Sequence, residues 1–335
     1  MRIHLKTFGC QYNQAESEQI AGMLSEHLEQ DERNADAIII NSCSVKSKVH
    51  NKIVNLAKEL SQTKKVFITG CLPSVVDFKG VKNITVLKGI KDIQNVFNLK
   101  PSRPLRKNKD IAIVQIAKGC LNSCTYCSTK LARDQLKSKT KSNILKEIKK
   151  SVGEGCKIIH LTSQDNGCYG FDIKTSLPKI LEEILRINSD FKVKIGMMNP
   201  QYVLKMLSEL VGLYKNEKII KFLHIPIQSG SDKILKDMKR GYKVNDFKRI
   251  VQTFRKEIPG INISTDIIVG YPTETEEDFQ ATTNLIKEIK PEVLNLSRFS
   301  PRPRTEAAKL KQLPSQEVKR RSVLLNGIFK DIKTF

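Results

Sequence analysis

The chain has 335 residues and carries 58 Lys and Arg side chains against 35 Asp and Glu, a formal net charge of +23. No apolar run is long enough to cross a bilayer and the first residues lack the apolar stretch of a secretory signal, which favours a cytoplasmic protein without a membrane span. Eight cysteines in a reducing compartment favour metal or redox chemistry over disulfides.

The first hundred residues alternate between apolar strands and helical segments. The strings RIHLKTFGC, DAIIINSC and KVFITGC are interpreted as three strands, with helices predicted over 14–29 and 47–61. The middle strand is almost wholly apolar, which is typical of a buried parallel sheet. The sequence therefore predicts a doubly wound α/β domain over residues 1–100.

Each of these three strands runs directly into a cysteine, and we call Cys10, Cys43 and Cys71 the N-terminal triad. The carboxyl ends of strands in a doubly wound sheet lie along one edge, where ligands bind. Taken singly, each cysteine would more often be a small buried hydrophobe. Three cysteines at matching strand ends instead favour convergence on a common metal site.

Residues 101–110 contain two prolines, a basic excess and no aliphatic run, which predicts a linker. Strands resume after it at IAIVQIA, KIIHLT, VKIGMM, FLHIPIQ, NISTDIIVG and VLNLSRF. Six strand–helix units in series predict a partial (β/α)6 TIM-type barrel over 111–335, with a last amphipathic helix over 315–332. Functional residues of such a barrel belong at the carboxyl ends of its strands.

The positive charge is concentrated in two stretches. Residues 130–150 hold eight basic and two acidic side chains, and residues 302–335 hold nine basic and three acidic ones. A Lys-rich solvated surface is one interpretation. The clustering favours the other, which is a nucleic acid partner.

A loop after the first barrel strand contains Cys120, Cys124 and Cys127 in the spacing C-x3-C-x2-C, and we call these the barrel triad. Three thiolates in one loop hold three irons of a cubane cluster and leave the fourth iron open. The alternatives are half of a zinc site or thiols without a metal, although a structural zinc ion requires a fourth ligand close by. The spacing is typical of radical S-adenosylmethionine (SAM) enzymes, in which that cofactor chelates the open iron.

The motifs around both triads resemble the radical SAM methylthiotransferases, which insert a methylthio group into a C–H bond. The matching strings are TFGCQYNQAESE, NSCSVKSK and TGCLPS in the N-terminal part, and GCLNSCTYCSTKLAR, LTSQDNGCYG, GMMNP, HIPIQSGSD, STDIIVGYPTETEEDF and SRFSPRPRTEAAK in the barrel. CTYCSTKLAR and MMNP resemble the archaeal and eukaryotic branch, which modifies N6-threonylcarbamoyladenosine beside the tRNA anticodon. Isopentenyladenosine tRNA and ribosomal protein substrates are alternatives, and a zinc-bound RNA-binding protein without enzymatic activity is a more distant one.

The resemblance implies a 4Fe–4S cluster on each triad. The barrel triad would serve reductive SAM cleavage and hydrogen abstraction from C2 of the adenine, and the N-terminal triad would hold an auxiliary cluster that carries the sulfur. Two SAM molecules are implied per turnover, together with a flavodoxin- or ferredoxin-like electron donor and a sulfur source. We expect a monomer.

Residues at or near strand ends are the candidates for SAM binding: Tyr126, Ser163, Gln164, Asp165, Asn199, Gln228, Ser229, Asp266 and Gly270. Candidate substrate or phosphate contacts are Lys130, Arg133, Arg298 and Arg302. The alternative for the polar strand ends is an ordinary turn or cap, and for the arginines a solvated surface. We expect Cys156 to be a packing residue and His224 a hydrogen-bonded core residue. Cys168 lies near the active face and lines the cavity in one interpretation, but the pattern favours an inert residue.

The chain departs from the family pattern at Asp134 and Arg304, where the family usually has glycine. Asp134 also places a negative charge in a basic loop. Family members normally continue into a small RNA-binding β-barrel, the TRAM domain, which we expect to be absent from these 335 residues.

Overall fold

Parallel strands dominate both halves of the chain in a computed structural model, which describes residues 1–43 and 47–334. Three residues of the predicted motif NSCSVKSK, at 44–46, lie outside this description. The strands are β1 Ile3–Thr7, β2 Ala37–Ser42, β3 Lys65–Gly70, β4 Ile84–Val86, β5 Ile111–Gln115, β6 Ala117–Lys118, β7 Lys137–Ser138, β8 Ile158–Thr162, β9 Lys192–Ile195, β10 Phe222–His224, β11 Asn262–Val269 and β12 Val293–Arg298.

Helices separate most of these strands. They are α1 Gln11–Met23, α2 Ser47–Leu60, α3 Ile90–Phe97, α4 Thr129–Arg133, α5 Lys141–Gly153, α6 Leu177–Leu185, α7 Pro200–Lys205, α8 Leu207–Tyr214, α9 Asp232–Asp237, α10 Val244–Glu257, α11 Glu276–Ile289 and α12 Ser315–Thr334. Within the described residues, no helix is both long enough and apolar enough to cross a membrane.

The first sheet is parallel, with strand order β1-β2-β3-β4, and helices cover both of its faces. All six residues of β2 are buried; Ile38 and Ile40 pack on the α2 side, whereas Ile39 packs on the α1 and α3 side. A bridge between Ile3 and Leu28 places the chain after α1 on the far side of β1. The chain thus pairs with β1 on both of its sides, and helices cover both faces of the sheet. Together these two features confirm the doubly wound fold.

The prediction of a helix over 14–29 is wrong at its carboxyl end. Helix α1 stops at Met23, because the following residues turn to bring Leu28 beside Ile3, and the Ile3 amide donates to the carbonyl of His27 at 2.7 Å. Strand pairing of an apolar residue therefore outweighs the local helical periodicity. The short strand β4 and the antiparallel pair β6–β7 were absent from the sequence prediction.

The barrel consists of two parallel three-stranded sheets, β5-β8-β9 and β10-β11-β12. Backbone hydrogen bonds join them at the seam: the Val193 amide donates to Lys218 at 2.7 Å, and the Met198 amide donates to His224 at 3.0 Å. The six strands therefore follow one another in chain order, and their apolar side chains and those of the surrounding helices form the largest core. This arrangement confirms the partial (β/α)6 barrel.

The predicted linker lies against both halves of the chain. The Leu105 amide donates to the carbonyl of Glu18 in α1 at 2.8 Å, and the Arg106 guanidinium contacts Glu154 at the end of α5 at 2.8 Å. A methyl group on Gly22 would stand 1.8 Å from the Arg103 carbonyl oxygen, so α1 needs glycine at this crossing. The domain boundaries at 100 and 110 stay predictions.

Asp134 and Arg304 both adopt the left-handed backbone that glycine tolerates best. Their φ angles are 61° and 64°, and the ψ of −158° at Asp134 lies in a region that is almost exclusive to glycine. We expect Asp134→Gly to raise the free energy of unfolding by about 1 kcal/mol, because relief of strain exceeds the added entropy of the unfolded chain. Chemical denaturation measures this.

Lys137→Gly is the control, since Lys137 is exposed and lies in a strand with ordinary backbone angles. It should lower the unfolding free energy. Equal destabilisation by both glycines would show that the Asp134 backbone stores no strain.

Candidate active site

The N-terminal triad converges where β1, β2 and β3 end. A methyl group on Gly9 would approach the Cys43 Cβ to 3.0 Å, and the Cys71 amide donates to the Ser42 carbonyl at 2.8 Å. Burial, opposed by the Arg133 guanidinium and aided by negative charge on Cys10 and Cys43, raises the pKa of the Cys71 thiol to about 11. The three sulfurs therefore lie within electrostatic range of one another, as the topology predicts.

A buried arginine from the barrel sequence reaches this triad. Arg133, at the end of α4, donates from Nε to the Cys71 sulfur at 3.3 Å and from Nη2 to Asn13 Oδ1 at 3.1 Å. It also forms an ion pair with Glu16, with one Nη2–Oε2 distance of 2.8 Å, and its guanidinium lies 4.8 Å from the ring centre of Tyr12. The predicted substrate contact thus faces the N-terminal triad, not an open surface.

The barrel triad lies on a loop that several distant segments hold in place. Thr125 donates from its amide to the Met238 carbonyl at 3.3 Å and from Oγ1 to the Asp237 carbonyl at 3.0 Å. The Ala307 amide in turn donates to the Thr125 carbonyl at 3.0 Å. Burial and the neighbouring Cys124 sulfur raise the pKa of Cys127, so these two thiols are also close together.

Arg240 is a site residue that the sequence analysis missed. Its Nη1 donates to the Cys124 sulfur at 3.2 Å, its Nε to the Tyr242 hydroxyl at 2.9 Å and its Nη2 to the Pro226 carbonyl at 3.2 Å. The side chain is 5% exposed. In the sequence nothing separates it from the neighbouring lysine in the string KRGY, because its partners come from residues far along the chain.

Cys120 has a second thiol as its neighbour. The neighbouring Cys168 thiol, which donates to the Asp165 carbonyl at 3.2 Å, lowers the pKa of Cys120, and Asn122 Nδ2 donates to the Cys120 sulfur at 3.2 Å. Asn122 also donates to Asp165 Oδ2 at 2.9 Å. Cys168 is fully buried in the barrel core and lies close to the Cys120 sulfur, and whether it is inert or lines the cavity stays a prediction.

The spacing of these atoms separates a cluster from a single metal ion. Among the described residues, the one set of three ligand atoms within 4.8 Å of one another is Cys120, Asp165 and Cys168. Sulfurs around a tetrahedral zinc stand about 3.8 Å apart, given bonds of about 2.3 Å. Neither triad is that compact in the described residues, so this structure does not favour a single zinc ion on either of them.

Comparison with known proteins identifies the chain. Residues 114–286 match the Radical SAM superfamily, and residues 2–90 match a family described as "Uncharacterized protein family UPF0004". A "Probable threonylcarbamoyladenosine tRNA methylthiotransferase" of Pyrococcus horikoshii is 41% identical over 98% of this chain and 84% of its own. The chain belongs to this methylthiotransferase family. The human threonylcarbamoyladenosine tRNA methylthiotransferase is 36% identical over 98% of this chain and 62% of its own.

Solved structures share the fold of this methylthiotransferase at low sequence identity. The cobalamin-dependent SAM radical enzyme OxsB superposes with a TM-score of 0.60 at 11% identity, covering 99% of this chain and 56% of that one. The radical SAM methyltransferase TsrM from Kitasatospora setae superposes with a TM-score of 0.59 at 12% identity, covering 92% and 75%. Membership of the superfamily implies a 4Fe–4S cluster and SAM as cofactors.

The residues beside the barrel triad suit a polar cofactor. Ser163 Oγ and Asn199 Nδ2 are buried and have no hydrogen-bond partner within the described part of the chain. Both flank Asp165, whose Oδ1 accepts from the Asn199 amide at 3.0 Å. Burial raises the pKa of Asp165. Unpaired buried polar atoms are costly, so a ligand with polar groups would stabilise this edge of the methylthiotransferase barrel.

The other predicted SAM contacts are held by protein partners. Gln164 accepts from the Gly119 amide at 2.6 Å, and Asp266 contacts His224 Nε2 at 2.9 Å, so this histidine is hydrogen-bonded as expected. Gln228 and Ser229 are buried, and Ser229 lies 3.3 Å from the Thr282 hydroxyl. These contacts orient the side chains around the barrel opening, and their role in SAM binding stays a prediction.

Two further predicted SAM contacts are Tyr126 and Gly270. Tyr126, between two barrel cysteines, is half-buried and packs against the small apolar cluster that includes Tyr271, and burial raises its pKa. Gly270 follows β11 and packs against Val318 of α12, where a methyl group would approach a valine carbon to 2.6 Å. Tyr126 lies in the loop of the barrel triad and Gly270 at a strand end, as predicted. The roles of both residues in SAM binding stay predictions.

Arg302 lies within electrostatic range of both triads. Burial lowers its pKa, while the Cys43 sulfur of one triad and the Cys127 sulfur of the other both raise it. It is 8% exposed. By contrast, Lys130 and Arg298 are exposed and remain available to substrate. Arg302 therefore lies near one cysteine of each triad of the methylthiotransferase.

Proposed function

We propose that the protein is a tRNA methylthiotransferase that converts N6-threonylcarbamoyladenosine, beside the anticodon, to its 2-methylthio derivative. The observation that supports this most is the presence of two three-cysteine sets with one buried arginine, Arg302, in range of both. Insertion of sulfur at an unactivated carbon requires a radical source and a sulfur source at one place. The nucleoside comes from the names of relatives in archaea and eukaryotes.

The chain's own residues would hold and orient the reactants. Cys120, Cys124 and Cys127 would hold the radical SAM cluster by three irons, and the N-terminal triad would hold an auxiliary cluster in the same way. When bound, these clusters and two SAM molecules supply a 5′-deoxyadenosyl radical, the inserted sulfur and its methyl group. Ser163 and Asn199 offer unpaired polar atoms to SAM.

Arg302 would complete this arrangement by binding an anionic group of the substrate between the triads. Burial of the reacting carbon in this space would exclude water and position it for hydrogen abstraction. The exposed Lys130 and Arg298 would add phosphate contacts at the rim.

The partners follow from the chemistry and the charge. A flavodoxin- or ferredoxin-like protein would supply electrons, and a separate source would replenish sulfur after each turnover. The net charge of +23 suits tRNA as the polyanionic substrate. We propose a cytoplasmic monomer.

Iron and sulfide analysis tests the two-cluster arrangement. After anaerobic reconstitution we expect about eight irons per chain, falling to about four when Cys120, Cys124 and Cys127 are all replaced by alanine. The matched control replaces the buried Cys156, whose thiol donates to the Lys109 carbonyl at 3.3 Å, and should retain about eight irons. A wild-type content of about four that falls to none would contradict the auxiliary cluster.

A further inference from the structure

Helix α4 links the two triads directly. It begins two residues after Cys127 of the barrel triad and ends at Arg133, whose guanidinium contacts Cys71 of the N-terminal triad at 3.3 Å. The Leu131 amide donates to the Ser128 carbonyl at 3.1 Å, which fixes the start of this short helix. A segment of six residues, 128–133, therefore connects the two triads.

The guanidinium is surrounded by fixed partners. Arg133 is 5% exposed, and its Nε–H, which points at the Cys71 sulfur, is separate from the Nη groups that contact Glu16 and Asn13. Asn13 in turn donates from Nδ2 to the Ser42 carbonyl at 2.8 Å, next to Cys43. The contact with sulfur is therefore part of a rigid polar network behind the triad.

This network would alter the redox behaviour of a cluster on the N-terminal triad. Reduction adds a negative charge, which a hydrogen bond to a ligand sulfur and a nearby positive charge both stabilise. Arg133 supplies both. Glu16 acts in the opposite direction, because its carboxylate neutralises much of the guanidinium charge close to the sulfur.

We propose that the Arg133–Glu16 pair sets the reduction potential of the auxiliary cluster, with Arg133 raising the potential and Glu16 limiting the rise. The proposal rests on the proposed function to the extent that the N-terminal triad holds a cluster. Arg133 is thus a positioning residue for the cluster and does not need to contact the tRNA.

The barrel triad also has a buried arginine in contact with one of its cysteines. Arg240 makes the equivalent contact with Cys124, at 3.2 Å, but within the described residues it forms no ion pair with a carboxylate. The barrel triad has a carboxylate of its own, because an oxygen of Asp165 lies within 4.8 Å of the Cys120 sulfur; burial raises the pKa of Asp165, while the charge of Arg240 lowers it. The direct ion pair between the arginine and a carboxylate is thus the feature that distinguishes the N-terminal triad among the described residues.

Potentiometric titration monitored by electron paramagnetic resonance tests the proposal without SAM or tRNA. The auxiliary signal is assigned as the one that persists when all three barrel cysteines are alanine. In that background we expect Arg133→Gln to shift the midpoint to a more negative potential and Glu16→Gln to shift it to a more positive one. An exposed pair with the same charges, Arg186 and Glu183, is the control, and its Gln variants should leave the midpoint unchanged.

Midpoint shifts of opposite sign in the two variants are the decisive result. If the pair only supported the structure, both substitutions would shift the midpoint in the same direction. Unchanged midpoints, or shifts of the same sign, in variants that retain the auxiliary irons would overturn the proposal alone. If Arg133→Gln loses the cluster, Glu16→Gln decides: a positive shift supports the proposal and no shift overturns it. Absence of the auxiliary cluster from the wild type would overturn this proposal and the proposed function together.

Discussion

Replacement of Cys43 by alanine is expected to abolish methylthio insertion while reductive cleavage of SAM continues. Cys43 follows the buried strand β2 and lies with Cys10 and Cys71, whereas the loop of the barrel triad is held by Asp237, Met238 and Ala307. Loss of one of three ligands should remove or deform the auxiliary cluster and leave the barrel cluster intact. Mass spectrometry of 5′-deoxyadenosine and of the nucleosides of digested tRNA measures both activities.

The size of the two effects separates the roles of the triads. We expect modified nucleoside to fall below detection and 5′-deoxyadenosine to stay within about threefold of the wild type, a difference of less than about 1 kcal/mol in the barrier. Cys156→Ala serves as the control for removing a buried thiol and should keep both activities. Loss of both activities in a folded Cys43→Ala protein would contradict the division of labour.

The architecture is predictable because its signals are local. Strands such as β2, with every residue buried, are continuous apolar runs in the sequence, and parallel topology then requires their carboxyl ends to meet. This is enough to bring Cys10, Cys43 and Cys71 together. Prediction of secondary structure fails where strand pairing competes with helical periodicity, as at Leu28. It also fails for β6 and β7, which have too few residues to show a period.

The side chains that contact the triads are less predictable, because these contacts join residues that are far apart in the sequence. Arg133 and Arg240 contact cysteines that lie 62 and 116 residues away in sequence. The residues next to either arginine in the sequence do not indicate its partner, and the prediction of a substrate contact at Arg133 does not anticipate its contact with Cys71. The position of Cys168 near the barrel triad is predictable, since it follows the second barrel strand and lies three residues after Asp165. The positions of the triad cysteines are thus easier to predict than the side chains that contact them.

The largest stability effect is expected at the buried ion pair of Arg321 and Glu274, which fastens α12 to the end of β11. Arg321 Nη1 lies 2.7 Å from Glu274 Oε2, and the same oxygen accepts from the Gly270 amide at 2.7 Å. The two side chains are 5% and 1% exposed. Arg321→Met should lower the free energy of unfolding by about 3–5 kcal/mol, because it leaves a buried carboxylate without its counter-charge.

The loss of unfolding free energy caused by Arg321→Met should also depend on pH. Burial raises the pKa of Glu274 even in the presence of Arg321, and removal of the cation raises it further. A carboxyl group whose folded-state pKa exceeds its unfolded value binds its proton more tightly when folded, so stability falls as pH rises through that interval. Arg321→Met should therefore be less destabilising in acid than at neutral pH, as measured by denaturant titration at both.

Arg320→Met is the matched control on the next residue of α12. Arg320 contacts Glu276 and Glu317 at the surface, with about half of its side chain exposed, and such pairs contribute at most about 1 kcal/mol. Similar losses from the two variants would show that Arg321 contributes only as a surface charge. A much larger loss from Arg321 would establish that the turn after β11, which carries Gly270 at the barrel opening, depends on α12 for its position.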